Sequence, residues 1–229
     1  PGNYQINVSR ETFHATMAKI VSICNQKGGT GKTTTAVNLS AALAALDKRI
    51  LIVDVDPQGN ATSGVGVNKN EIKKSVYDIL LNRITTQEAI IETNYKNLHI
   101  IPRNINLTGA EIELVGALSR ETRLKRALDS IKEGYDYIFI DSPPSLGLLT
   151  LNAFVASDSI LIPIQCEFYA LEGVSQLLNT INLIREGLNT NLAIEGVLLT
   201  MADFRTNLTG EVINEINTYF KEKVYKSII

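Results

Sequence analysis

Cysteine is scarce: Cys24 and Cys166 are the only two in the chain. They lie far apart and match no metal-ligand spacing. A disulfide framework is therefore not what organises the fold, and a reducing cytosol is the expected home. Each reads as a small buried hydrophobe. No apolar run reaches the roughly 18 residues that a membrane-spanning helix needs. The opening stretch "PGNYQINVSRETFHAT" lacks the apolar core of a signal peptide. Neither sign of charge dominates, with 22 Lys and Arg against 24 Asp and Glu and a formal net charge of -2. Contact with a nucleic acid would then depend on a local patch rather than on a field over the whole molecule. Low-complexity linkers, composition breaks and repeats of solenoid length are also missing, which points to one domain.

What is there suits a soluble α/β domain. The 229 residues are 45% hydrophobic and 20% charged, ordinary for a globular protein with a sizeable core. The chain begins at Pro1, while strand-like text begins at "MAKIVSICNQ", where Met17 would make a natural start. Residues 1–16, His14 among them, read as a leader, tag or extension outside the fold, and residues 17–229 as a single domain. Four apolar runs rich in β-branched residues, "KIVSICN", "RILIVDVD", "YDYIFIDS" and "DSILIPIQ", predict strands; "AIEGVLLTM" and the shorter "LHIIP" follow them. Their near-continuous apolar character is that of parallel strands covered on both faces. Between them, Ala36 to Leu46, the set Leu124, Leu128 and Ile131, and the set Val212, Ile213, Ile216, Tyr219 and Phe220 recur at helical spacing and read as core-facing stripes. Strand and helix in alternation predict an α/β fold: a doubly wound, mostly parallel sheet with helices on both faces. The closing "VYKSII" reads as another strand, so the domain is expected to lack its C-terminal return helix.

The stretch "CNQKGGTGKTTT", Cys24 to Thr35, carries the chemistry. It follows a strand and opens the alanine-rich helix, a context in which successive backbone N–H groups and a helix N-terminus suit phosphate oxygens. Gly28, Gly29 and Gly31 permit close approach and unusual dihedrals. Thr30 and Thr34 complete the loop, Lys32 would reach the β- and γ-phosphates, and the Thr33 hydroxyl would ligate Mg²⁺. Further oxygen comes from the ends of other strands: Asp54 and Asp56 in "ILIVDVDPQGN" and Asp141 in "YIFIDSPP". Carboxylates at strand C-termini of an open α/β sheet face the ligand crevice. Asp141 suits the ion or one of its waters, and Asp56 can position an attacking water or contribute to the metal shell. Alternation places Asp54 and Asp56 on one side of an extended strand, so periodicity does not choose between them.

The segments "KGGTGKT", "DVDPQGNATSG", "FIDSPPSLG" and "LLTMADFRTNL" resemble the deviant Walker A ATPases of the ParA/Soj partition group. The likeness runs from about Lys19 to the last residue, and the extra lysine ahead of the glycines is its most specific mark. The resemblance implies a P-loop NTPase fold of the deviant Walker A type, ATP with Mg²⁺, slow hydrolysis and a nucleotide-dependent homodimer. It also implies nonspecific binding of double-stranded DNA by the ATP-bound dimer, a nucleoid-associated cytoplasmic location, and a ParB/Spo0J-type partner that stimulates turnover. By the same resemblance Lys27 is the signature lysine that crosses to the other subunit's phosphates, Asp56 the acidic residue needed for hydrolysis, and Asp141 the Walker B aspartate. Arg205 matches a DNA-contacting arginine. Family members usually continue into a proline–arginine–asparagine segment with further DNA and adenine contacts, just beyond "KSII".

Rival functions share the loop. A MinD-like division-site ATPase would dock on membrane through a C-terminal basic amphipathic helix; "TMADFRTNL" favours partition instead. An electron carrier like the nitrogenase iron protein needs cluster cysteines, and neither Cys24 nor Cys166 stands in an expected position. A metabolic ligase or kinase of the same fold is left open by motif alone. Lys221, Lys223 and Lys226 near the end read as the solvated face of an amphipathic helix.

Overall fold

A computed structural model describes residues 17–167 and 172–229. The expected leader over residues 1–16, with His14, lies outside the described residues. In chain order the elements are β1 (Lys19–Ile23), α1 (Lys32–Ala45), β2 (Ile50–Asp54), α2 (Asn60–Gly64), α3 (Val76–Leu80), β3 (Ile91–Glu92), β4 (Leu98–Ile101), α4 (Leu107–Leu114), α5 (Arg123–Asp129), β5 (Tyr137–Asp141), α6 (Leu148–Ala156), β6 (Ser159–Gln165), α7 (Glu172–Gly187), β7 (Ala193–Thr200), α8 (Asn207–Phe220) and β8 (Val224–Ile228). They form one eight-stranded sheet in the order β3-β4-β2-β5-β1-β6-β7-β8. All the pairings are parallel except that of β3 with β4. This is the doubly wound sheet that the strand and helix alternation predicts, and it places the C-terminal ends of β1, β2, β5, β6 and β7 along one edge.

Two apolar cores account for the winding. On one face α1 and α2 pack Ala36, Ala44, Ala61 and Val65 against Val21, Ile23, Ile50, Ile52 and Phe139. On the other, α3 to α8 contribute Leu80, Leu107, Leu124, Phe154, Leu177 and Ile216 against Leu51, Val53, Ile138 and Ile160. Both faces of the inner strands are thus covered, which is why "ILIVD" is apolar and buried at every position until the carboxylate. In α1 the buried residues Ala36, Ser40 and Ala44 are four apart and small, so the helix lies close on the sheet.

Several details differ from the sequence reading. The first helix starts at Lys32, inside the glycine motif, and Leu46 caps it rather than belonging to it. Ile131 is buried but follows the end of α5. Tyr219 is 57% exposed, so the apolar stripe of α8 is carried by Val212, Ile216 and Phe220, with Ile213 partly buried beside them. Lys221 and Lys223 lie on a 3₁₀ turn and Lys226 on β8, not on an amphipathic helix. The closing strand is present as β8, paired with β7. Among the described residues, no helix is long and apolar enough to cross a membrane.

Candidate phosphate and metal site

β1 ends at Ile23 in the middle of the sheet, and the chain turns through residues 24–31 into α1. Gly29 (φ 76°) and Gly31 (φ 87°) hold this turn in the left-handed region that other residues avoid. Gly28 does not need that freedom, which narrows the expectation of three special glycines to two. Gly31 is the N-cap of α1 and supplies no side-chain cap. No side chain of the cap competes for the first-turn amides, and these face the ligand edge with the positive end of the helix dipole. From behind, Thr200 Oγ1 at the end of β7 donates to Thr30 O at 2.9 Å. Asn25 Nδ2 donates to Pro163 O on β6 at 2.7 Å while Asn25 Oδ1 accepts the Lys27 amide at 3.1 Å.

The two lysines of the loop diverge. Lys32 is buried, and its Nζ donates to the Lys27 carbonyl at 2.9 Å, spanning the turn. Burial pulls its pKa down, against the opposing influence of Asp141 and Asp56 nearby. The Lys27 side chain is half-exposed and forms an ion pair with Glu167, just past β6.

Thr33 Oγ1 donates to Asp141 Oδ2 at 2.7 Å, so the first turn of α1 and the end of β5 meet. Asp141 is fully buried, and its Oδ1 has no hydrogen-bond partner. Burial foremost, and then the charge of Asp54, push its carboxyl up to about 8, with the Thr33 hydrogen bond acting the other way. An unpartnered buried oxygen that resists ionisation is a strong candidate for a cation ligand. Among the described residues no group of three His, Cys, Asp or Glu side chains could hold a metal alone. That is compatible with Mg²⁺, which is usually held by one or two carboxylates plus substrate phosphates and water. Thr33 and Asp141 therefore fit the ion.

The ambiguity between Asp54 and Asp56 disappears because the strand stops at Asp54. Asp54 turns inward: its Oδ2 accepts from the Thr62 amide at 2.8 Å and the Thr62 hydroxyl at 2.6 Å, and its Oδ1 from the Asp56 amide at 3.2 Å. Burial raises its pKa to about 6. It ties the start of α2 to β2 and is not the open carboxylate that strand position alone suggested. Asp56 lies beyond the strand, buried, and its Oδ1 accepts the Gln58 amide at 2.9 Å in a short turn. Cys24 and Cys166 are free and buried, as expected. Burial drives the Cys24 thiol up to about 12, so it stays protonated and unreactive beside the loop.

Arg205 stands apart from this cluster, on the loop after β7, with 89% of its side chain exposed and an ion pair to Asp203 at 2.6 Å. Sequence reading missed the roles of Glu167 just past β6, Asn25 just past β1 and Thr200 at the end of β7, which hold the loop. Only their positions at strand ends signalled them.

Comparison with known proteins gives the family and the fold. The model of a family described as an AAA domain matches residues 18–194. The chain is 61% identical over 213 residues to the sporulation initiation inhibitor protein Soj of Bacillus subtilis, covering 93% of this chain and 84% of that one. It is 53% identical to the chromosome partitioning protein ParA of Myxococcus xanthus, covering 94% and 76%. A crystal structure of cobyrinic acid a,c-diamide synthase from Mycobacterium smegmatis, with bound ATP analog and magnesium, superposes with a TM-score of 0.85 at 37% identity, covering 89% of this chain and 83% of that one. A plasmid partition protein from Borrelia burgdorferi gives 0.78 at 28% identity, covering 91% and 88%. A phosphate loop built on β1 and α1, the Thr33–Asp141 pair and these relatives together mean that the chain belongs to the AAA_31 family and, within it, to the ParA/Soj-type partition ATPases.

Proposed function

We propose that this protein is an ATP-dependent DNA-partition switch. ATP brings two copies into a sandwich dimer, the dimer binds double-stranded DNA without sequence preference, and hydrolysis, stimulated by a ParB/Spo0J-type partner, releases it. The observation that carries the reading is the divergence of Lys27 and Lys32. One lysine lies in its own phosphate loop, and the other is held at the rim by Glu167.

Gly28 to Thr34 would cradle the phosphates through loop amides, and Lys32 would hold the β- and γ-phosphates. An open cavity of 680 Å³ bordered by Gly31, Thr34, Thr200 and Met201 has room for the nucleoside. Thr33 and Asp141 would hold Mg²⁺, with Asp56 contributing directly or through water. Bound there, the ion would neutralise charge on the β- and γ-phosphates. Asp56 would orient the attacking water, since phosphoryl transfer asks the protein mainly for position and charge. Lys27, exchanging Glu167 for the partner's phosphates, would add a second cation only in the dimer. Occupancy by ATP and assembly are then one equilibrium, because ATP favours the state in which its charge is better matched. Arg205 would belong to the DNA surface, where contact is mostly with phosphates.

The test pairs two measurements. Lys27→Ala should abolish ATP-dependent dimers by light scattering while nucleotide binding to the monomer persists; dimers at wild-type ATP concentrations refute the role across the interface. ATPase activity should rise when DNA and a ParB-type protein are added together, and an unchanged rate refutes the switch.

A further inference from the structure

Arg103, in the segment that follows β4, is 8% exposed, although a guanidinium cannot shed its charge at neutral pH. Among the described residues it forms no ion pair; its Nη2 donates to the Gln58 carbonyl at 2.6 Å and its buried Nε has no partner. The Lys69 ammonium also approaches that carbonyl, from the surface, at a longer 3.5 Å. Gly59 shows how closely the guanidinium lies on the turn. A Cβ built there would meet Arg103 Nε at 2.0 Å and Cζ at 2.8 Å, and the glycine is also left-handed at φ 65°. The Arg103 backbone reaches the same place, its amide donating to Thr62 Oγ1 at 3.3 Å. That hydroxyl holds Asp54.

This turn is the one that carries Asp56. The Gln58 amide donates to Asp56 Oδ1 at 2.9 Å and the Gly59 amide to Asp56 O at 2.9 Å, so moving the Gln58–Gly59 peptide moves the carboxylate. A buried cation is costly unless its donors are matched, and here the charge is directed at one backbone carbonyl. We infer that Arg103 is a positioning residue for hydrolysis: it fixes the Asp56–Gly59 turn through the Gln58 carbonyl and so keeps Asp56 aimed at the phosphate site without touching nucleotide. The inference rests on the proposed role of Asp56.

The experiment uses the full chain and three variants, with turnover measured alongside affinity for a fluorescent ATP analogue and thermal stability. Arg103→Met fills the space over Gly59 without a donor, and should lower kcat about tenfold or more, the usual scale for residues that orient an essential group. Its Kd for the analogue should stay within about twofold, since the phosphate loop is untouched. Arg103→Lys keeps a charged donor able to reach Gln58 and should recover part of kcat; it also holds the test open if Arg103→Met loses its fold. Asp56→Ala is the reference and should lose turnover. Wild-type kcat in Arg103→Met and Arg103→Lys, beside an inactive Asp56→Ala, overturns the inference about Arg103 alone. Loss of affinity and kcat in parallel in both arginine variants also overturns it, because that is the signature of a merely structural residue. Normal turnover in Asp56→Ala overturns the role of Asp56 and this inference with it.

Discussion

Replacing Asp141 by Asn should make the nucleotide-free protein more stable while destroying its response to Mg²⁺ and ATP. Asp141 is fully buried, and burial with the neighbouring Asp54 charge raises its pKa from 3.8 to about 8. The sign follows from linkage. Between those values the folded chain binds a proton that the unfolded chain releases, so stability falls as pH rises from about 4 to about 8 and levels off above. Each pH step in that interval is worth about 1.4 kcal/mol, which sets an upper bound of roughly 6 kcal/mol at pH 8 and above. Water entering the open site screens part of it, leaving about 2–4 kcal/mol at the effective dielectric of such positions. For a chain of this size that is a Tm gain of roughly 5–15 °C. Asparagine keeps the shape and an oxygen for Thr33, so packing is conserved. Melting curves with a chelator should show the gain at pH 8.5, and at pH 5 it should shrink to about a third, because less of the interval has been crossed. Saturating ATP with Mg²⁺ should then raise the wild-type Tm well above that of the variant's response. Equal stability of the two proteins at pH 8.5 without Mg²⁺, or a gain that does not depend on pH, would refute the reasoning.

Thr62→Val removes the hydroxyl that donates to Asp54 at 2.6 Å and leaves the amide bond in place. It should cost about 1–3 kcal/mol in urea denaturation. The loss should be larger at pH 8 than at pH 5, since Asp54 titrates at about 6 and only its ionised form depends on every donor. Arg205→Ala should weaken ATP-dependent DNA binding uniformly across sequences and lower the slope of log affinity against log salt by about 1, as read by anisotropy. Intrinsic ATPase activity should not change, because among the described residues the Arg205 side chain bonds only to Asp203 on its own loop.

The phosphate loop was legible because its parts are contiguous. Gly29, Gly31, Lys32 and Thr33 lie within a few residues of one another, between a strand and a helix that their own composition announces. The inner strands were legible for a related reason: "ILIVD" and "YIFID" have no polar residue before the carboxylate, and only burial on two faces explains that. Asp54 and Asp56 show where local reading fails. A period of two gives both the same side, and the decision comes from Thr62, held by a helix that the sequence pattern did not disclose. The pairing of Lys27 with Glu167 spans 140 positions and that of Arg103 with Gln58 spans 45, distances at which no local pattern operates. α6 was overlooked because "LLTLNAFVA" is buried nearly all round, leaving no amphipathic stripe to recognise.

The place of β1 between β5 and β6 has a consequence for how the chain matures. Thr33 meets Asp141 across 108 positions, and Thr30 meets Thr200 across 170. No short fragment contains the whole site, although a fragment can contain the loop. Non-local pairings of this kind close late and slowly, after the helices and local turns that need no distant partner. A growing chain therefore carries its phosphate loop long before it can hold a nucleotide well. Once the far strands dock, a nucleotide that binds only the folded protomer would add about 2.7 kcal/mol at a hundredfold excess over Kd. A nucleotide held there would then be a late folding ligand, stabilising the protomer only after β5 and β7 are in place around the loop.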